Sequence, residues 1–99
     1  MTIEIKKNAE ETVIELEGRL DTTTAPALDK TIGNDIEGTK SLVLDFKRLE
    51  YISSAGLRVL LGAQKKMQKC GFMKLINVCE EIMEVFEMTG FADILTIEA

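Results

Sequence analysis

Ile3 and Ile5 are each flanked by polar residues, and a similar alternation returns in Val13-Ile14-Glu15-Leu16-Glu17 before Gly18. A two-residue period places alternate side chains on one face of a strand. These segments, joined near Asn8-Ala9-Glu10-Glu11, predict an N-terminal β-hairpin. The spacing then lengthens, with Leu28, Ile32 and Ile36 four residues apart. Before them, Asp21-Thr22-Thr23-Thr24 offers several capping side chains and Ala25-Pro26 puts proline in the first helical turn. An amphipathic helix is predicted here, its end loosened by Gly33-Asn34 and Gly38. Leu42-Val43-Leu44-Asp45-Phe46 is an apolar run too short for a helix, which predicts a central strand covered on both faces.

After Lys47-Arg48-Leu49-Glu50 comes Tyr51-Ile52-Ser53-Ser54-Ala55-Gly56, then Leu57, Val59, Leu60, Leu61, Ala63 and Met67, with lysines and glutamines among the later positions. This is the pattern of a helix buried at its start and solvated at its end. Cys70-Gly71 ends it, and the lysines suit its C-terminal dipole. Phe72 to Val78 reads as the next strand. Glu80 and Glu81 favour a following helix N-terminus, Ile82, Val85 and Phe86 supply its inner face, and Gly90 stops it. Ile94-Leu95-Thr96-Ile97 predicts a last short strand. The order β-β-α-β-α-β-α-β points to one α/β domain over residues 1–99, with a mostly parallel sheet covered by helices.

Charge and composition narrow what such a domain can do. Twelve basic against seventeen acidic residues leave a net charge of -5, a field that repels nucleic-acid phosphates. No apolar run approaches the roughly 20 residues of a membrane span, and the N-terminus lacks the basic start and apolar block of a secretion signal. A cytoplasmic protein with no membrane or nucleic-acid partner is the expectation. The chain contains no histidine, so a Ser-His-Asp or Cys-His relay cannot be built and the commonest zinc ligand is missing. Cys70 and Cys79 are too far apart for a C-x-x-C knuckle and read as reduced thiols. No catalytic residue, cofactor or metal is expected.

The residues that stand out are Ser53 and Ser54, at the turn from a strand into a helix, on the side where open α/β sheets place their sites. A hydroxyl there can cap the helix by accepting a backbone N–H, and that needs only one serine. A phosphate on the other would meet free N–H groups and the positive end of the helix dipole. A nucleophilic serine is the remaining reading, and it fails on partners. There is no G-x-S-x-G pattern and no histidine, and a lysine base would have to come from Lys65, Lys66, Lys69 or elsewhere in the fold.

Tyr51-Ile52-Ser53-Ser54-Ala55-Gly56-Leu57-Arg58-Val59-Leu60-Leu61 resembles the signature of the STAS domain of bacterial anti-sigma factor antagonists. Gly18-Arg19-Leu20-Asp21 with Thr24-Ala25-Pro26-Ala27-Leu28, Leu42 to Phe46, and Val85-Phe86-Glu87-Met88-Thr89-Gly90-Phe91 resemble three further segments of that family, in order and spacing. The resemblance implies a single STAS-like domain, a mixed, mostly parallel sheet of about five strands with an N-terminal hairpin and three to four helices. It implies a switch rather than an enzyme. In that family the unmodified antagonist binds an anti-sigma factor that is also a serine kinase, which frees the sigma factor. Phosphorylation by that kinase ends the interaction, and a serine phosphatase is the implied partner that reverses it.

The family's acceptor, two residues before the glycine of a D-S-[ST]-G-L pattern, maps onto Ser54, and its acidic neighbour maps onto Asp21, which could equally cap the helix that follows it. Asp21, Ser53, Ser54, Gly56, Leu57 and Arg58 are accordingly the expected partner-binding residues, with Ile52 and Leu57 also fitting the core. Three positions depart from the pattern: Ser53 replaces the frequent aspartate, Ala55 the second hydroxyl, and Arg58 a frequent glycine. Ser53 thus stays a second candidate for acceptor or cap. Arg58 could pair with a phosphate or an acidic partner, or simply be solvated. The alternative to the switch is a constitutive STAS binding subunit of a transporter or signalling complex, in which Ser54 is only a helix cap.

Overall fold

The computed structural model describes residues 1–98. Strands β1 (Thr2–Asn8), β2 (Glu11–Leu20), β3 (Ser41–Ile52), β4 (Phe72–Ile76) and β5 (Ile97–Glu98) alternate with helices α1 (Ala25–Asp35), α2 (Ser54–Gln68) and α3 (Glu80–Thr89) after the hairpin. Spatial order follows chain order, β1-β2-β3-β4-β5, with β1 antiparallel to β2 and every later pair parallel. The mixed, mostly parallel sheet expected from the sequence is present, with its N-terminal hairpin.

Spatial order also decides where the helices lie. Crossovers between parallel strands are right-handed, so a chain that steps always in one direction lays every helix on the same face. Leu28 and Ile32 of α1, Leu60, Ala63 and Met67 of α2, and Ile82 and Phe86 of α3 meet Ile14, Leu16, Leu42, Leu44, Phe46, Met73 and Leu75 in one core. The expectation that β3 is covered on both faces is therefore corrected. Asp45 and Val43 alternate onto the open face, where Val43 lies in register between Val13 and Lys74. It is only 4% exposed although no helix covers it.

Boundaries differ where backbone pairing overrides side-chain pattern. β3 continues to Ile52, well past Phe46, because Arg48, Leu49, Tyr51 and Ile52 pair with Glu17 to Leu20 after two register shifts, each taking up an extra residue of β3. Those shifts break the alternation, so Leu49 and Ile52 are both buried three residues apart. The last strand starts later than Ile94. Phe91–Asp93 forms a 3₁₀ turn, and the Phe91 carbonyl takes the N–H groups of both Ile94 (3.0 Å) and Leu95 (2.9 Å). Ile36 caps α1 instead of extending it, and still packs against the core.

Candidate functional site

The site forms because β2 and β3 end together. Leu20 and Ile52 are register partners, and the ladder runs one residue further through a 2.9 Å bond from the Ser53 N–H to the Leu20 carbonyl. Asp21 and Ser53 thus emerge side by side. Ser53 is extended (φ -105°, ψ 177°), its carbonyl accepts the first helical bond from the Leu57 N–H at 3.0 Å, and Ser54 begins α2. The helix can sit this close because residue 56 is glycine. A Cβ there would lie 2.7 Å from Leu20 Cγ and 2.9 Å from Ile52 Cγ1.

The two serines have different surroundings. Ser54 is exposed at the helix start, whereas the Ser53 Oγ is buried and has no hydrogen-bond partner among the described residues. The expected side-chain cap is not made: Ser53 holds the N-cap position without a side-chain bond, because its hydroxyl is turned inward. A working N-cap serine costs about 1 kcal/mol when replaced by alanine. Ser53→Ala should instead lose nothing measurable in urea unfolding, because removing an unsatisfied buried hydroxyl relieves a desolvation penalty. A loss of about 1 kcal/mol would show that the hydroxyl caps α2 in solution.

Asp21 does organise a turn. Its Oδ1 accepts from the Thr23 hydroxyl (2.7 Å), the Thr23 N–H (3.0 Å) and the Thr24 N–H (3.2 Å), while its own N–H donates to Thr24 Oγ1 at 2.8 Å. Thr24 Oγ1 in turn donates to the Arg19 carbonyl at 2.8 Å. Chiefly the Thr23 hydroxyl, against a smaller opposing effect of desolvation and assisted by the two N–H groups, holds the Asp21 carboxyl below its usual range. The carboxylate therefore fixes the approach to α1, whose N-cap Thr24 turns its side chain back to Arg19 and Asp21 and makes no capping bond to the helix.

Of the six residues expected at a partner surface, the structure leaves Ser54 and Arg58 exposed, on one helix face a turn apart, and Asp21 half-buried at the strand end next to Ser53. It buries Gly56 and Leu57, the latter only 6% exposed, so these two shape the surface from beneath and cannot form it. Ser53 is partly buried, with its hydroxyl inside. Two residues that sequence reasoning did not single out join the site. Arg19 and Tyr51 are register partners, and the guanidinium carbon sits 4.1 Å from the Tyr51 ring centroid. Arg19 Nε also lies 3.8 Å from Asp21 Oδ2. The usable signal was Tyr51 itself, the chain's one tyrosine, two residues before the serine pair. It is 40% exposed.

A polar groove of about 400 Å³ lies on the open sheet face, lined by residues such as Glu15, Glu17, Asp45, Lys47, Arg48 and Asn77. Its lining includes none of Asp21, Ser53, Ser54 and Arg58. Among the described residues no group of three or more acidic or cysteine side chains is arranged to hold a metal ion, and no helix is long and apolar enough to cross a membrane.

Fold and site together define an α/β domain whose sheet is covered on one face and whose strand-to-helix turn presents a serine. The chain belongs to the STAS domain family, whose sequence model matches residues 2–99. It is 30% identical over 100 residues to the anti-sigma-B factor antagonist of Bacillus subtilis, covering 100% of this chain and 92% of that protein. It is 36% identical over 84 residues to BtrV of Bordetella bronchiseptica, provisionally named an anti-sigma factor antagonist, covering 83% and 72% of the two chains. An anti-sigma factor antagonist from Mycobacterium paratuberculosis shares the fold with a TM-score of 0.88 at 23% identity, over 98% of this chain and 84% of the other. A sulfate transporter family protein from Wolinella succinogenes also shares it, with a TM-score of 0.81 at 19% identity over 92% and 78%.

Proposed function

We propose that the protein is an anti-sigma factor antagonist that acts as a binding switch. In its unphosphorylated form it docks on an anti-sigma factor of the serine-kinase type, releasing the sigma factor. Phosphorylation of Ser54 by that kinase ends the interaction, and a serine phosphatase restores it. The full-length likeness to the Bacillus subtilis antagonist supports the class of partner. The observation that carries the residue is the contrast between the serines, since the Ser54 side chain is exposed and the Ser53 Oγ is buried. A kinase needs an accessible hydroxyl. The start of α2 also suits the product, because the first N–H groups of the helix and its dipole favour an anion there.

The test is incubation with ATP and the serine-kinase anti-sigma factor of the source organism, read by intact mass. One phosphoryl group is expected on the wild-type chain and on Ser53→Ala, and none on Ser54→Ala. A phosphoryl group that survives Ser54→Ala and disappears with Ser53→Ala would move the switch to Ser53. The constitutive-subunit reading makes Ser54 a helix cap, and the cap position belongs to Ser53, which makes no side-chain bond.

A further inference from the structure

We propose that β1 is a self-complementary edge through which two copies of this chain pair, joining their sheets into one. The sheet order leaves β1 and β5 as its two edges. Proteins protect such edges by keeping them short, bulging them or covering them. β5 is two residues long, and the register shifts lie between β2 and β3. β1 has neither protection. It is seven residues long and pairs with β2 without a register shift, and six of its residues are exposed.

The sequence of β1 then selects one partner. Asn8 and Glu11 close the hairpin around Ala9-Glu10. In such a two-residue hairpin the closing residues are hydrogen-bonded to each other, so alternation turns the N–H and C=O groups of Ile3, Ile5 and Lys7 towards the free edge. An antiparallel copy centred on Ile5 uses all of them: Ile5 exchanges both bonds with its own equivalent, and Ile3 does so with Lys7. In the same register Glu4 faces Lys6 twice, on the open face of the joined sheet.

That pairing answers a charge problem within one chain. Glu4 lies opposite Glu15 in register, and Lys6 is the cation that reaches Glu15, at 3.3 Å. Like charges directly opposite are unfavourable. Among the described residues Glu4 has no salt bridge, and the second copy supplies one. Lysines on an edge ordinarily keep strands apart, but here Lys6 meets a glutamate, and the Lys7 stem covers Ile3 while its amine reaches water. On the helix side, Ile5 is 38% exposed and meets its own equivalent at the two-fold axis.

Sedimentation across a concentration series up to millimolar tests the pairing. A monomer–dimer equilibrium is expected, weakened roughly tenfold or more by Lys6→Glu and restored by the exchange Glu4→Lys with Lys6→Glu. The exchange also leaves Glu15 a lysine partner, now directly opposite it at residue 4, so unchanged thermal unfolding separates lost pairing from lost folding. In a Cys70→Ser, Cys79→Ser background, Ile5→Cys should form an interchain disulfide under mild oxidation, because self-facing bonded residues lie about 5.5 Å apart at Cα. Ile3→Cys should not. A chain that stays monomeric at every concentration, an exchange that fails to restore the dimer, or equal cross-linking at both positions overturns the proposal.

Discussion

Ser54→Asp is expected to weaken binding to the proposed serine-kinase anti-sigma factor by roughly a hundredfold or more, while Ser54→Ala binds within a few-fold of wild type. The asymmetry follows from what each residue asks of the interface. A small hydroxyl at the exposed start of α2 is desolvated cheaply when a partner covers it. A carboxylate there must lose its water when the partner covers it, and stripping an unpaired charge costs several kcal/mol, each 1.4 kcal/mol being tenfold in affinity. A phosphate, with a charge of about -1.5 to -2 at neutral pH, should act more strongly still. The fold itself gains or stays neutral, because an acidic residue in the first turn suits the helix dipole, and α2 has none there. Unchanged circular dichroism beside lost binding in titration calorimetry is therefore the signature. Binding of Ser54→Asp within twofold of wild type would remove Ser54 from the interface, and the switch with it.

The element order was legible because each segment carries its own period. Ile14 and Leu16 mark β2, Leu28 and Ile32 mark α1, and Leu57, Leu60, Ala63 and Met67 mark α2, all buried as the pattern requires. What the pattern could not carry is anything decided by a neighbouring strand. The half of β3 after Phe46 reads as polar, and is a strand because β2 pairs with it past its register shifts. Likewise, one-sided coverage of the sheet is a consequence of strand order, which no single segment encodes.

The site was legible in the same partial way. The strand-to-helix turn located the serine pair and the family resemblance located Asp21, and the register of Leu20 with Ile52 is what brings them together. Which serine faces water depends on where β3 ends and α2 begins, and Ser53 and Ser54 are chemically identical in sequence. Gly56 and Leu57 belong to the signature, yet their contribution lies below the surface, where a Cβ at residue 56 would strike Leu20 and Ile52. A motif position can thus serve the site by packing alone.

Gly71→Ala is expected to be the most destabilising small substitution at a glycine, at about 3 kcal/mol or a fall in melting temperature of roughly 12–24 °C. The Cys70-Gly71 pair reads in sequence as a helix stop, for which the usual reason is a left-handed backbone. Gly71 is not left-handed, as Gly90 is at the end of α3 with φ 83°. Its requirement is space. A Cβ on residue 71 would fall within the Lys40 carbonyl group, 2.6 Å from its carbon and 2.8 Å from Lys40 Cα. Neither strand of backbone is free to retreat. Lys40 is held by its N–H to the Glu10 carbonyl at 2.7 Å and by its own carbonyl, which accepts from Phe72 at 2.9 Å. The preceding residue is anchored too, since the buried Thr39 hydroxyl bonds Thr12 at 2.6 Å, and the Gly71 N–H itself donates to Met67 at 2.7 Å. A methyl group must therefore break the link between the α2 end and the start of β4. Gly33→Ala makes the same chemical change inside α1, where nothing lies within 4 Å of the added Cβ, and should stabilise by about 0.5–1 kcal/mol through helix propensity. Thermal unfolding of the two variants side by side should move in opposite directions, and a Gly71→Ala protein that melts with the wild type would show that the Lys40 segment yields at little cost.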